Sequence, residues 1–239
     1  MGREFDGFFD RGPFQISSRA LGAFIAAYLF GQFFLSSLLY FDPFTISVFF
    51  MGTATLALVM GTARFLRREN GISSFVLGWV QPAYGWYLAA LAGVFVAHLL
   101  AGLFWLRASP DAIEQITEYN AQLAPAAGGV EPFFSFLAIC LVYPILEEIL
   151  FRGALQTYLM ERFGLVIAVL ASALIFGLAH SGAINALGGV MDQLLAVCSL
   201  ACVGIVASLL RHFSGSLYPA IAMHAGYNAA LFIYAAALP

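Results

Sequence analysis

An all-α bundle of membrane-spanning helices is the fold this sequence predicts, and three observations carry the prediction. Of its 239 residues 62% are hydrophobic and 10% charged, whereas a soluble domain averages about 25% charged residues. The apolar residues run in stretches of roughly twenty, long enough to cross the ~30 Å hydrocarbon core of a bilayer as helices. The charges gather between those stretches, at positions where loops would lie.

Taken by length and absence of charge, the spans are Ala20–Phe41, Phe44–Ala63, Tyr84–Leu106, Phe133–Met160, Leu165–Ala183, Gly189–Leu210 and Ser216–Leu238. The count is about seven, and up to eight if the short apolar stretch Ile72 to Gln81 inserts; that stretch reads rather as interfacial or re-entrant. Residues 1–19 form an N-terminal segment of mixed charge with Phe5, Phe8, Phe9 and Phe14 interspersed, either laid on the membrane surface or loose. It is not a cleavable signal peptide, because the apolar run after Arg19 continues too long. Asp42-Pro43 punctuates the first turn. Residues 20–131 hold the first three spans and a polar stretch, Ser109 to Glu131, in which Ala112 to Leu123 fits one amphipathic surface helix. No internal repeat appears, which weakens a transporter built from inverted halves.

The basic residues are ten arginines with no lysine, and the net charge of −3 offers nothing to a nucleic acid. Arg3, Arg11, Arg19, Arg64, Arg67, Arg68, Arg162 and Arg211 fall on one side of the bundle and Arg107 alone on the other. The positive-inside rule then puts the N-terminus in the cytoplasm of a multi-pass plasma-membrane protein, bacterial or archaeal. Cys140, Cys198 and Cys202 all sit in apolar runs, so neither a disulfide framework nor a zinc-type cysteine spacing is present. Trp79, Trp86 and Trp105, with Tyr84 and Tyr87, read as interface anchors.

The chemistry concentrates in Leu146-Glu147-Glu148-Ile149-Leu150-Phe151-Arg152. A charged group at bilayer depth costs about 2.5–3.5 kcal/mol on insertion scales and is tolerated when it faces protein, a partner or water. Glu148 and Arg152, four apart, share a helix face and can pair. Glu147 is rotated about 100° from Glu148 and has Phe151 at i+4. A structural ion pair alone leaves the cost of Glu147 unexplained. Further along, Phe176 and His180 are four apart in the fifth span, and His224 and Asn228 four apart in the seventh. Counted from the arginine side, Glu147 lies ~22 Å, His180 ~24 Å and His224 ~15 Å deep at 1.5 Å per residue, close enough for one polar cluster inside the bundle.

Glu147-Glu148-x-x-x-Arg152, Phe176-x-x-x-His180 and His224-x-x-x-Asn228 resemble the three motifs of the CPBP family. Its members are the CAAX prenyl endopeptidases and bacteriocin-processing relatives, also called Abi proteins. The resemblance covers roughly Phe133 to Leu238 and makes residues 132–239 a CPBP-like core; the first three spans match only in being hydrophobic. It implies an all-α intramembrane endopeptidase that cleaves a membrane-associated or lipid-modified protein or peptide. By the family pattern Glu147 and His180 hold and activate the attacking water, His224 and Asn228 stabilise the oxyanion, and Glu148 and Arg152 support the site. General chemistry agrees: a desolvated carboxylate is a competent base, and imidazole and amide groups suit a developing oxyanion in a water-poor cavity.

No cofactor is needed for that mechanism. The competing version is a zinc enzyme in which Glu147, His180 and His224 would be the ligands and water the fourth; no HExxH supports it. Ala179-His180-Ser181-Gly182 lacks the first glycine of a GxSG serine site. Cys140 has no activating cation nearby in sequence. Gly188-Gly189-Val190-Met191-Asp192 only approaches the GxGD aspartyl signature, so Asp192 reads as a helix-end group. His98 is expected to make an interhelical hydrogen bond, and His212 to lie in an inner loop. A non-enzymatic membrane adaptor or immunity-type protein, keeping the polar cluster for packing, is the remaining function class. Oligomeric state is not encoded in any feature identified.

Overall fold

The structure is a computed structural model that describes residues 16–35, 44–70, 78–123 and 129–237. The expected tail up to residue 15, the Asp42-Pro43 turn and most of the stretch from Ile72 lie outside those residues. Helix α1, Ser18–Leu29, runs on as a π-helical turn, Phe30–Leu35. It is followed by α2 (Phe44–Asn70), α3 (Gly85–Trp105), α4 (Pro110–Leu123), α5 (Glu131–Ala179), α6 (Ser181–Asn185), α7 (Val190–Ser214) and α8 (Tyr218–Ala237). Among the described residues there is no strand, and α2, α3, α5, α7 and α8 are each long and apolar enough to cross a membrane.

Helix α5 has 49 residues. Straight, it would extend about 74 Å, more than twice the ~30 Å hydrocarbon core. It does not run straight. Gly164 has φ 77° and ψ 174°, a conformation open to glycine and strained for other residues. The chain reverses there, bringing the Phe151 and Phe176 rings within 5.3 Å of each other. The two limbs correspond to the expected fourth and fifth spans.

The second limb is shorter than the sequence predicts. It ends at Ala179 rather than Ala183, with His180 at φ −82° and ψ 47°, outside the helical region. The cause is local. His180 Nδ1 donates to the Phe176 carbonyl at 2.8 Å, taking the acceptor that the backbone N–H at 180 would use in a continuing helix. That N–H turns to Gly177 O instead, tightening the last turn.

The helices alternate in direction, so the bundle has two distinct ends. At one, Ile16 N donates to Glu161 Oε2, Arg162 Nη2 to Ile16 O and Leu217 N to Gly78 O, and Trp79 packs edge-on against Tyr218. At the other, Phe49 of α2 meets Phe134 of α5, Phe136 meets Phe232 of α8, and Trp105 Nε1 donates to Ser199 Oγ of α7. Helix α4 lies at this second end. Ser109 caps it, accepting from Ala112 N, and donates through its own N and Oγ to Asp192 at 3.0 and 2.9 Å. Asp192 is thus the helix-end group expected of it.

Helix α7 packs against α3 and the second limb of α5 through small residues, as membrane helices do where backbones must approach closely. A Cβ on Gly177 would sit 2.6 Å from the carbonyl oxygen of Val197, and one on Gly204 would sit 2.9 Å from Ala173 Cα. Among the described residues, His98 shows no interhelical hydrogen bond of the kind expected. Its Nδ1 bonds Val94 O one turn back in α3, and its ring stacks on Tyr227 of α8 at 4.1 Å; the i−4 carbonyl is the nearer acceptor.

Gly177→Ala is expected to cost about 1–3 kcal/mol by overpacking and to lower the thermal unfolding midpoint in detergent. Gly102→Ala, where a Cβ meets nothing within 4 Å, should melt no lower than the parent. Equal losses in both variants would mean that α5 and α7 are not packed this closely.

Candidate active site

Glu147 and Glu148 occupy a short α-helical segment of α5, Tyr143–Glu148, placed between π-helical stretches at Ala138–Val142 and Ile149–Leu155. Pro144 accounts for the first, since it offers no N–H and its ring crowds the preceding turn; widening that turn relieves the clash. The widened turn leaves carbonyls that need donors. Asn228 Nδ2 of α8 donates to Ile139 O at 2.9 Å, and Thr157 Oγ1 donates to Arg152 O at 3.4 Å in the second stretch. π-Turns of this kind recur at functional sites.

Around that segment the three sequence motifs converge. Glu148 Oε1 accepts from Arg152 Nη1 at 2.9 Å and from His224 Nδ1 at 2.9 Å. Both side chains of the Glu148–Arg152 pair are 0% exposed. Arg152 Nη2 donates to Gly204 O at 3.0 Å, and its guanidinium lies 4.5 Å from the centre of the Phe176 ring. Phe176 also meets His180 at 4.6 Å and His224 at 5.4 Å, edge to face. It forms an apolar wall joining the ion pair to both histidines.

Glu147 faces the other side of this assembly. Its Oε2 is 3.8 Å from His180 Nε2 and 3.7 Å from His224 Nε2. Its side chain is 13% exposed, that of His180 26% and that of His224 3%. The tautomers follow from the partners. A carbonyl only accepts, so His180 Nδ1 carries hydrogen and a neutral ring presents an Nε2 lone pair to Glu147. Glu148, paired to Arg152, likewise accepts from His224 Nδ1. Each histidine is held by one nitrogen and aimed by the other.

The structure therefore brings Glu147, Glu148, Arg152, Phe176, His180 and His224 together. Asn228 stands one turn further along α8, with an amide hydrogen on Ile139 O. Cys140 is buried and free. Glu147, His180 and His224 offer the oxygen and two nitrogens that zinc takes, but zinc with ~2.0–2.1 Å bonds holds tetrahedral ligands about 3.3–3.5 Å apart. As arranged, Glu147 Oε2 stands 3.8 and 3.7 Å from the two nitrogens, and among the described residues no three His, Cys, Asp or Glu side chains are grouped as metal ligands.

With the geometry in place, comparison with known proteins agrees with the motifs. Residues 129–230 match the family described as Type II CAAX prenyl endopeptidase Rce1-like. This Rce1-like region contains every motif residue, and it supports a CAAX-type intramembrane endopeptidase in general terms. No curated protein and no solved structure matches the chain.

Two features of the Rce1-like region are not evident from the motifs. One is the Glu148–His224 bond, between residues 76 apart. The other is Gly204, whose carbonyl receives Arg152 and whose Cβ would crowd Arg152 Nη2 at 3.2 Å. Its signal in the sequence is the spacing of small residues on α7, where Ala201, Gly204 and Ser208 follow one another at helical intervals along one face. Arg152→Ala would strand Glu148 without its ion-pair partner, and breaking a buried pair costs about 3–5 kcal/mol. Loss of thermal stability is expected alongside loss of function; a variant that melts like the parent would show that the pair is not structural.

Proposed function

We propose that the chain hydrolyses a peptide bond of a membrane-associated or lipid-modified protein within the bilayer, with water activated by Glu147 and His180 and without a metal. The observation that carries this reading is the position of Glu147 Oε2, 3.7 and 3.8 Å from two imidazole nitrogens that are each fixed from behind by a hydrogen bond. A packing role alone explains Glu148 and Arg152, which pair with one another, but gives no reason to point two histidines at a second carboxylate.

In this mechanism a water held by Glu147 and His180 attacks the carbonyl carbon as Glu147 takes its proton, and Glu147 then passes that proton to the departing amine. His224, its Nδ1 committed to Glu148, donates to the oxyanion through Nε2 only as an imidazolium. The ionised Glu148 beside it compensates that charge. Asn228 has a second amide hydrogen besides the one on Ile139 O and is the other donor. Phe176 excludes water from the ion pair, which strengthens every charge interaction inside.

Glu147→Gln keeps shape but accepts no proton, so cleavage of a reporter peptide should be abolished. Asn228→Ala should retain turnover reduced by about 10²–10³, the usual cost of one oxyanion donor. Phenanthroline should inhibit weakly. One tightly bound zinc per purified chain, lost together in Glu147, His180 and His224 variants, would replace this mechanism with the metal-dependent one. Undiminished cleavage by Glu147→Gln would remove Glu147 from the chemistry altogether.

A further inference from the structure

The arginines and the site lie at different levels of the bundle. Arg19 opens α1, Arg64 lies in the last third of α2, Arg162 precedes the Gly164 turn and Arg211 closes α7, all at the end where Ile16 meets Glu161. Among the described residues the opposite end carries one arginine, Arg107, with Asp111, Glu114, Glu118, Glu131 and Asp192. This asymmetry places the α4 end outside the cytoplasm.

The second limb of α5 starts at the arginine end and stops at Ala179, about 15 residues and ~22 Å beyond Gly164. That is short of a ~30 Å hydrocarbon core. Helix α7 beside it has 25 residues, or about 37 Å, and crosses completely. The shortfall is therefore all on the α4 side, and His180 stands at its edge. Above His180 the chain fills the level with the five residues of α6, not with a continuing helix.

That filling is light. A cavity of about 300 Å³ lies among Leu178, Ile184, Val190, Leu194 and Val197, between the end of α5 and the start of α7. Helix α4 roofs the region. Gln115 Oε1 accepts from Gly188 N at 3.0 Å, and a Cβ on Gly182 would come within 2.8 Å of the Tyr119 hydroxyl. Burial raises the Tyr119 pKa above the ordinary tyrosine value, so this hydroxyl remains a donor. Exposure in the cluster follows the same direction, greatest at His180 and least at Glu148 and Arg152.

The geometry points to a cleft that opens on the arginine-poor face beneath α4, so that the peptide reaches Glu147 from the extracytoplasmic half of the membrane, past His180. Resting on the protease reading, this narrows the substrate to chains anchored in the membrane whose scissile bond lies at or outside its extracytoplasmic boundary. A tail held in the cytoplasm would start from the arginine end, ~22 Å of helix away from His180.

Cysteine accessibility tests this without any substrate. In intact cells, a membrane-impermeant methanethiosulfonate should modify Glu118→Cys and His180→Cys above the level of the parent chain, whose own Cys140, Cys198 and Cys202 set the baseline. Arg64→Cys should react only after permeabilisation. Protection of His180→Cys from the external reagent overturns the proposal, whatever Glu118→Cys reports. Labelling of Glu118→Cys only from the inside overturns it too, because the α4 face would then be cytoplasmic. Labelling does not depend on turnover, so an inactive site would fail the cleavage assays while leaving this result intact.

Discussion

The buried pair of Glu148 and Arg152 is the constraint that the rest of the structure serves. Two charges at bilayer depth are tolerated when they are paired and face protein rather than lipid. Glu148 draws in His224 from α8, Arg152 draws in the Gly204 carbonyl from α7, and the guanidinium faces the Phe176 ring from the second limb of α5. One ion pair thus ties together the elements that carry the motifs. A Cβ at Gly204 would crowd Ala173 at 2.9 Å and the guanidinium at 3.2 Å, so its bare backbone serves both the helix packing and the ion pair.

The same arrangement gives the two adjacent carboxylates different surroundings. Glu148, fully buried, is bound through Oε1 to Arg152 and His224; Glu147, one residue away and partly exposed, faces two imidazoles at just over hydrogen-bond distance. A single helical step of about 100° is enough to separate the two environments. The π-helical stretches on either side shift the register of α5 locally. Each leaves a backbone carbonyl to be met by a side chain, one of them by Asn228 from the last motif. Asn228 therefore ties the last motif to the backbone geometry of α5.

His180 shows how one side chain sets local structure. By capturing the Phe176 carbonyl with its own ring it ends the helix, fixes its tautomer and presents Nε2 to Glu147. The early ending creates the thin region that α6 fills and α4 covers. A fully apolar residue at this position would leave the helix free to continue toward Ala183, as the hydropathy alone implies.

Composition and run length determined the membrane class, the helical architecture and the places where charge interrupts apolar sequence, because lipid admits few alternatives to an internally hydrogen-bonded helix. The i,i+4 spacings determined which side chains share a face, and they correctly paired Glu148 with Arg152. Contacts between distant segments were decided only by the tertiary structure: His224 on Glu148, Arg152 on Gly204, Asn228 on Ile139 and His98 stacked on Tyr227. The end of α5 at Ala179 was likewise hidden, since the choice between a backbone and a side-chain donor at the Phe176 carbonyl leaves no trace in hydropathy. Spacing along one helix is fixed by covalent geometry, whereas the meeting of helices depends on how small residues, turns and buried charges are satisfied together.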